Sequence, residues 1–192
     1  MNNMNWYLKY RGTIFGLYQA VAENGKVFEE VRRTPGVRLL ITNDQDEILL
    51  NQEKRRTLGY KVDHRLPGGK VFDSINDAET YRNHPDLGGY VIDAAIREAR
   101  EEIGLDIQAE DCEIFAQDQY DGKVEFDLYF VAVRRFTILD SGPEFADSEH
   151  QEIVGWQWHD YKAAKHLALD YQKFSEGRSA RMLLSFLCSK ED

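Results

Sequence analysis

The predicted fold depends on one stretch of sequence, which reads Arg97-Glu98-Ala99-Arg100-Glu101-Glu102-Ile103-Gly104-Leu105. Its three glutamates, Glu98, Glu101 and Glu102, stand at positions i, i+3 and i+4, which fall on one face of an α-helix. Like charges at this spacing destabilise a helix by roughly a few tenths of a kcal/mol per pair. Helix stability alone would favour alternating signs, so the stretch predicts a helix that gathers carboxylates for another purpose.

The other side of the same helix is predicted to face the core. Apolar residues recur there at helical spacing, at Ile92, Ala95, Ile96, Ala99 and Ile103. Gly104 then suits a left-handed cap at the C-terminus of the helix. The carboxylates would project over an open surface, where they suit a hard divalent cation, usually Mg²⁺. The alternative is that the Glu and Arg side chains form an ordinary solvated face.

A second motif lies upstream, where residues 66–70 read Leu-Pro-Gly-Gly-Lys. Together, this turn and the helix resemble the signature of the Nudix hydrolase family. The family motif is Gly, five residues, Glu, seven residues, then Arg-Glu-apolar-x-Glu-Glu-x-Gly-apolar. Its second half matches residues 97–105 at every fixed position, with Ala99 as a small apolar member.

The chain departs from the family motif in one respect. The motif has thirteen residues between its first Gly and its Arg, whereas residues 70–96 intervene here, which is 27 residues and an excess of 14. The intermediate Glu therefore has no fixed counterpart, and the spacing does not assign its role to Glu79, which lies inside the extra segment. An insertion at about residues 74–89 would lie beside the active site, as a lid, a wall of the substrate pocket or a plain surface loop.

Composition excludes several classes of protein. The chain has 192 residues and a formal net charge of −10, which disfavours general binding to nucleic acid, because that binding depends on Lys and Arg. Its two cysteines, Cys112 and Cys188, have no metal-ligand spacing. No signal peptide opens the sequence and no run of 18 apolar residues occurs, so we expect no membrane association and a cytoplasmic location.

The fold class is predicted to be α+β. Residues 1–34 are expected to form an N-terminal β-hairpin extension, with its turn at Asn24-Gly25, and residues 35–192 a Nudix hydrolase domain. Strands are predicted at 13–22, 26–33, 37–42, 47–52, 113–117, 124–133 and 153–158, and helices at about 74–82, 160–167 and 179–188, besides the main helix. The resemblance implies an α/β/α sandwich with a mixed β-sheet. In ADP-ribose-type Nudix enzymes a comparable N-terminal sheet often supports a homodimer, which we expect here.

The resemblance also implies a role for each matching residue. Glu101 and Glu102 would be metal ligands, and Glu98 would be a ligand or an orienting base. Arg97 would fix a carboxylate by an ion pair. Gly69 would let the turn approach the helix closely, and its carbonyl oxygen would bind the metal. Mg²⁺ is the expected cofactor, with Mn²⁺ as the alternative.

Further site residues are expected outside the motif. In ADP-ribose-type members an additional base or ligand often comes from an acidic loop after the core sheet. Glu149 and Glu152 occupy comparable places here, with Glu144 as a weaker choice. Arg55 and Arg56 add local positive charge, and Arg can bind a diphosphate through paired hydrogen bonds. A solvated basic turn is the alternative for this pair.

The predicted function is Mg²⁺-dependent hydrolysis of the diphosphate bond in a nucleoside diphosphate linked to another moiety. The best substrate is ADP-ribose or another NDP-sugar, cleaved by metal-activated water to a nucleoside monophosphate and a sugar phosphate. A nucleoside triphosphate pyrophosphatase is the competing enzyme. A non-catalytic Nudix-like module that senses a nucleotide is the alternative from another class.

Overall fold

The computed structural model describes residues 5–55, 58–59, 61–119, 124–145 and 152–190. The strands within these residues are β1 Trp6–Arg11, β2 Phe15–Val21, β3 Val27–Arg33, β4 Gly36–Ile41, β5 Glu47–Lys54, β6 Val62–Arg65, β7 Leu105–Asp106, β8 Cys112–Asp118, β9 Val124–Glu125, β10 Leu128–Val133, β11 Thr137–Ile138 and β12 Ile153–Asp160. The α-helices are α1 Ile75–Tyr81, α2 Leu87–Ile103, α3 Tyr161–Leu169 and α4 Gly177–Cys188.

Hydrogen bonding groups these strands into separate sheets. Their orders are β1-β2-β3-β9, β4-β10-β8, β12-β5-β6 and β11-β7. β10 runs parallel to β4 and antiparallel to β8, so the central sheet is mixed. Strand β5 runs antiparallel to both of its neighbours, β12 and β6.

The central sheet is covered on both faces. Val37, Leu39 and Ile41 of β4 belong to the buried cluster that contains the apolar side of α2. The alternate residues Leu40 and Phe130 belong to a second buried cluster with α3 and α4. Strands buried on both faces read as continuous apolar runs, which is why β4 and β10 do not alternate in sequence. The structure therefore confirms the predicted α+β class and the sandwich with a mixed sheet.

Helix α2 is longer than predicted. Of the residues predicted to face the core, Ala95, Ala99 and Ile103 are buried and Ile92 and Ile96 are partly buried. The helix begins at Leu87 and includes Gly88 and Gly89, which the sequence placed in the insertion at about residues 74–89. Packing of the whole helix on the sheet outweighs the roughly 1 kcal/mol that each glycine costs in a helix. The helix ends at Gly104, which has a φ of 66° and donates its backbone N–H to carbonyls of the last turn.

The N-terminal part is more than a hairpin. Strands β2 and β3 pair in antiparallel register around Gly25, which has a φ of 78°. Strand β1, which has no clear period in sequence because most of its residues are exposed, adds a third strand. The predicted hairpin is therefore present, but it is part of a four-stranded sheet, because β3 also pairs in parallel with β9, a strand from beyond residue 35.

The extra segment packs on the N-terminal sheet. Ser74 caps α1 by accepting a hydrogen bond from Asp77 N at 3.1 Å. The backbone N–H of Ile75 donates to Thr13 O at 2.8 Å, and Glu79 accepts a hydrogen bond from the Tyr18 hydroxyl. The segment is therefore a structured helix that joins the two parts of the chain.

Two other predictions differ in detail. The predicted strand 124–133 is divided at residues 126–127, where the chain passes from the N-terminal sheet to the central sheet. Strand β6 was not predicted, because its four residues, Val62–Arg65, are mostly polar. Across the described ranges, no helix has both the length and the apolar character needed to span a membrane.

Candidate active site

The glutamates of α2 are largely covered. Glu98 and Glu102 are only 4% and 6% exposed, whereas the Glu101 side chain is 31% exposed. The predicted open surface is therefore wrong for Glu98 and Glu102. The turn at residues 66–70 and strand β5 lie over these two carboxylates, so water is largely excluded from them.

The turn at residues 66–70 approaches both β4 and α2 closely. Val37 N donates to Gly69 O at 3.0 Å, and Leu39 N donates to Pro67 O at 2.8 Å. Gly68 has a φ of 135°, and a Cβ there would overlap the Val37 carbonyl oxygen. A Cβ on Gly69 would lie 2.5 Å from both carboxylate oxygens of Glu98. Gly68 is thus required by space and by backbone conformation, whereas a side chain at Gly69 would displace the Glu98 carboxylate.

Glu102 is held by the turn and by β5. Its Oε2 accepts hydrogen bonds from Gly68 N at 2.8 Å and from Asn51 Nδ2 at 2.9 Å. Burial raises the pKa of Glu102 to about 8; the Gly68 hydrogen bond and the charge of Arg38 lower it, and the charges of Glu53 and Glu98 raise it further. Several carboxylates thus share a site with little solvent, and a cation bound there would favour their charged forms.

Arg97 contacts two of the three helix glutamates. Its Nη2 donates to Lys70 O at 2.6 Å and to Glu98 Oε1 at 3.0 Å, and its Nε lies 3.8 Å from Glu101 Oε2. One guanidinium therefore links the turn to the carboxylates of α2. This is the kind of ion pair that the family resemblance implied.

Glu53 was missed by sequence reasoning. It is 3% exposed on β5 and accepts a hydrogen bond from Arg55 Nε at 2.6 Å, with Arg65 Nε at 3.6 Å. The available signal was the spacing of the polar pair Asn51 and Glu53, which are two residues apart in β5 and therefore lie on one face of the strand. No local pattern could show that this face meets Glu102.

The predicted residues outside the motif are only partly described. Arg55 is paired with Glu53 and lies 3.5 Å from Glu152, so its guanidinium already has carboxylate partners. Arg56 and Glu149 lie outside the described residues. The backbone of Glu152 bonds to Lys54 N at 2.7 Å, which brings the end of the acidic loop beside β5. Glu144 instead bonds through its N–H to Arg100 O, at the end of α2.

A buried ion pair lies behind the turn. Arg38 donates to both carboxylate oxygens of Glu176 at 2.9 Å and to Gly68 O at 2.9 Å. Burial alone would raise the pKa of Glu176, but the charge and hydrogen bonds of Arg38, with help from Ser179, lower it to about 2. This pair connects the beginning of α4 to the turn that faces α2.

The Glu176 pair predicts a specific acid sensitivity. The folded-state pKa lies below the ordinary value of 4.5, so the pair stabilises the fold above about pH 4.5 and loses this contribution as the pH falls toward 2. The shift corresponds to about 3 kcal/mol. Urea unfolding between pH 6 and pH 2.5 measures the free energy of unfolding. It should fall by about 3 kcal/mol more in wild type than in Glu176→Gln. Parallel curves for the two proteins would contradict it.

The side chains at this site fit a divalent cation. Glu98 and Glu102 supply buried carboxylates, and the buried Asn51 Oδ1 has no hydrogen-bond partner among the described residues. Within the same part of the chain, no three His, Cys, Asp or Glu side chains form a group able to hold a metal. Neutral oxygens must therefore complete the ligand set.

Comparison with known proteins gives two kinds of match, to a family model and to solved structures. The family model described as the NUDIX domain matches residues 32–179. No curated protein matches the chain. A solved structure, the crystal structure of an ADP compounds hydrolase, is similar with a TM-score of 0.65 and 18% sequence identity. The similarity covers 97% of this chain and 90% of that chain, and at this identity it shows the fold alone.

Proposed function

This chain belongs to the Nudix family of pyrophosphohydrolases, and we propose that it hydrolyses the diphosphate bond of a nucleoside diphosphate linked to another moiety, with Mg²⁺ as cofactor. ADP-ribose or another NDP-sugar is the proposed substrate. The observation that carries the proposal is the pair of buried carboxylates, Glu98 and Glu102, pressed against the Gly68-Gly69 turn. Such a pair is costly to bury unless a cation binds there.

The ligand set would combine side chains and backbone. Glu98 and Glu102 would hold the cation with the carbonyl oxygen of Gly69, and Glu101, now 3.8 Å from Arg97 Nε, would have to turn toward the site to join them. Among the described residues that carbonyl accepts one hydrogen bond, from Val37 N, and its second lone pair is the one that would meet a ligand. Bound Mg²⁺ neutralises phosphate charge and lowers the pKa of its water.

The chain's own groups would orient the substrate and move the proton. Arg97 keeps Glu98 against the turn. Arg55 would bind the diphosphate by exchanging its contacts with Glu53 and Glu152 for phosphate oxygens. Glu152, released by that exchange, is a candidate for the base that accepts the proton of the attacking water. Glu149 is the other candidate.

A substrate panel tests this function. The purified protein should be incubated with Mg²⁺ and ADP-ribose, other NDP-sugars, dinucleoside polyphosphates and NTPs, with products separated by chromatography. We expect AMP and ribose 5-phosphate from ADP-ribose, and no turnover with EDTA. Preferred release of pyrophosphate from NTPs would identify the competing enzyme. Tight nucleotide binding without turnover of any compound would identify the sensing module.

We also propose a homodimer formed through the N-terminal sheet. Cross-strand pairing places a set of exposed apolar residues on one face of this sheet: Tyr7, Tyr10, Phe15, Val21 and Val27. Exposed apolar faces of this kind are typical of association sites. Sedimentation should give a dimer for wild type and a monomer for Tyr10→Glu, whereas Val62→Glu, at an exposed apolar residue outside this sheet, should stay dimeric. A monomeric wild type would contradict the proposal.

The domain boundary, the location of the protein and its lack of nucleic-acid binding remain predictions. The boundary between a 1–34 extension and a 35–192 catalytic domain is a proposal, which the family match beginning at residue 32 supports. The cytoplasmic location and the lack of nucleic-acid binding stay predictions of the sequence.

A further inference from the structure

Asn51 carries a buried oxygen whose presence needs a reason. The residue lies in the middle of β5 and is 0% exposed. Its Nδ2 donates to Glu102 Oε2 at 2.9 Å, but its Oδ1 has no hydrogen-bond partner in the part of the chain that the structure describes. Burying a polar atom without a hydrogen-bond partner lowers the stability of the fold. A leucine would fill this place in the strand without that cost.

The carboxamide of Asn51 is oriented by its hydrogen bond to the Glu102 carboxylate. Both described hydrogen bonds to the Glu102 carboxylate fall on Oε2, from Asn51 and from Gly68. They leave Oε1 of Glu102 as the oxygen available to an ion. Because Oδ1 and Nδ2 of Asn51 share one carbon atom, Oδ1 is held close to Glu102 whenever this hydrogen bond is made.

We propose that Asn51 is a ligand of the divalent cation through its side-chain oxygen, together with Glu98 and Glu102. The inference rests on the proposed function, because it assumes that a cation binds there. Carboxamide oxygens are suitable ligands for hard cations. Asn51 lies on β5, outside the segment that the family motif covers.

A neutral ligand suits this site better than another carboxylate would. Glu53 and Glu98 already act on Glu102 with like charge, and Glu53 is held by Arg55 and Arg65. A further negative charge would add repulsion in a region of low dielectric. Glu79, the acidic residue inside the extra segment, is bonded to Tyr18 on the N-terminal sheet and does not contact Asn51 or Glu102.

Cation binding without substrate tests the proposal. Mn²⁺ would be titrated into the purified full chain and followed by the EPR signal of free Mn²⁺, for wild type, Asn51→Leu and Asn51→Cys. We expect Asn51→Leu to weaken Mn²⁺ binding at least tenfold. Gln157→Leu, on the neighbouring strand β12 and outside the site, is the matched control and should bind as wild type does.

The cysteine variant separates a ligand from a structural residue. A thiolate is a soft ligand, so Asn51→Cys should shift the ratio of Cd²⁺ to Mn²⁺ affinity at least tenfold toward Cd²⁺. Wild type, with its own Cys112 and Cys188, gives the baseline for Cd²⁺ binding. Loss of a packing or hydrogen-bonding role alone would not change this ratio. Circular dichroism checks that each variant folds. If Asn51→Leu does not fold, the ratio of Cd²⁺ to Mn²⁺ affinity in Asn51→Cys decides the question alone.

The outcomes distinguish this inference from the function on which it rests. If the Asn51 variants bind Mn²⁺ within threefold of wild type and show no shift toward Cd²⁺, Asn51 is not a ligand, while turnover by wild type would still support the proposed function. If wild type binds neither Mn²⁺ nor Mg²⁺, the inference and the metal-dependent function both fail.

Discussion

Glu102→Gln is expected to lower kcat by about a thousandfold or more at saturating Mg²⁺. Glu102 accepts two hydrogen bonds through Oε2 and would offer Oε1 to the cation. Glutamine keeps the shape of the side chain but removes its charge, so the stabilisation lost in the transition state is about 4 kcal/mol or more. Steady-state kinetics with ADP-ribose measures the loss, and Mn²⁺ titration measures the accompanying loss of affinity.

A matched variant separates this effect from a general change in charge. Glu113→Gln removes the same charge from an exposed side chain, paired with Arg134, that does not touch the site. It should leave kcat and KM within about twofold of wild type, as surface substitutions usually do. The pKa of Glu102 is raised to about 8, so the folded protein favours the neutral form of this side chain. Glutamine is also neutral, and Glu102→Gln should therefore remain folded in EDTA. Near-normal kcat in the folded Glu102→Gln protein would refute the role of Glu102.

Gly68→Ala is expected to destabilise the fold by about 3–5 kcal/mol. The φ of 135° lies in a region that L-residues rarely adopt, and the added Cβ would overlap the Val37 carbonyl oxygen. Because that carbonyl belongs to β4, a strand of the central sheet, the turn must move away from the sheet. A loss of this size is a large share of the 5–15 kcal/mol that typically stabilises a domain, as a rough scale. Urea unfolding at pH 7 measures it.

Two other glycines separate the effect of backbone conformation from the effect of steric overlap. Gly25 also has a positive φ, of 78°, but no atom lies within 4 Å of its added Cβ, so Gly25→Ala should cost only about 1 kcal/mol. Gly69 has no unusual φ, and its Cβ would meet only the Glu98 carboxylate at 2.5 Å. Gly69→Ala should therefore unfold near the wild-type urea concentration but lose activity. Equal destabilisation by Gly25→Ala and Gly68→Ala would show that backbone conformation alone accounts for the effect.

The sequence predicted the elements whose signals are local. The position of α2, its buried side and its end at Gly104 follow from residues within a few turns of one another. The hairpin turn at Asn24-Gly25 and the cap at Ser74 are equally local. Strands β1 and β6 escaped prediction because an exposed or short polar strand has no clear alternation of apolar residues. The glycines of α2 were misinterpreted because packing on the sheet outweighs helix propensity.

The environment of the glutamates could not be predicted in the same way. Helical spacing places Glu98, Glu101 and Glu102 on one side of α2, but it does not state what covers that side. The structure buries Glu98 and Glu102 and leaves Glu101 half-exposed beside Arg97. It also turns Arg55, a predicted diphosphate ligand, toward Glu53 and Glu152.

Local spacing along the chain was enough to identify the family, the carboxylate helix and its glycine turn, because these depend on residues close together in sequence. The contacts of Glu102 with Asn51 and Glu53 required the assembled fold. Asn51 is 51 residues from Glu102 in the chain, and it reaches the helix only because β5, the turn at residues 66–70 and α2 pack around one site. Strand order and register determine which side chains from separate segments meet, and no local pattern records them.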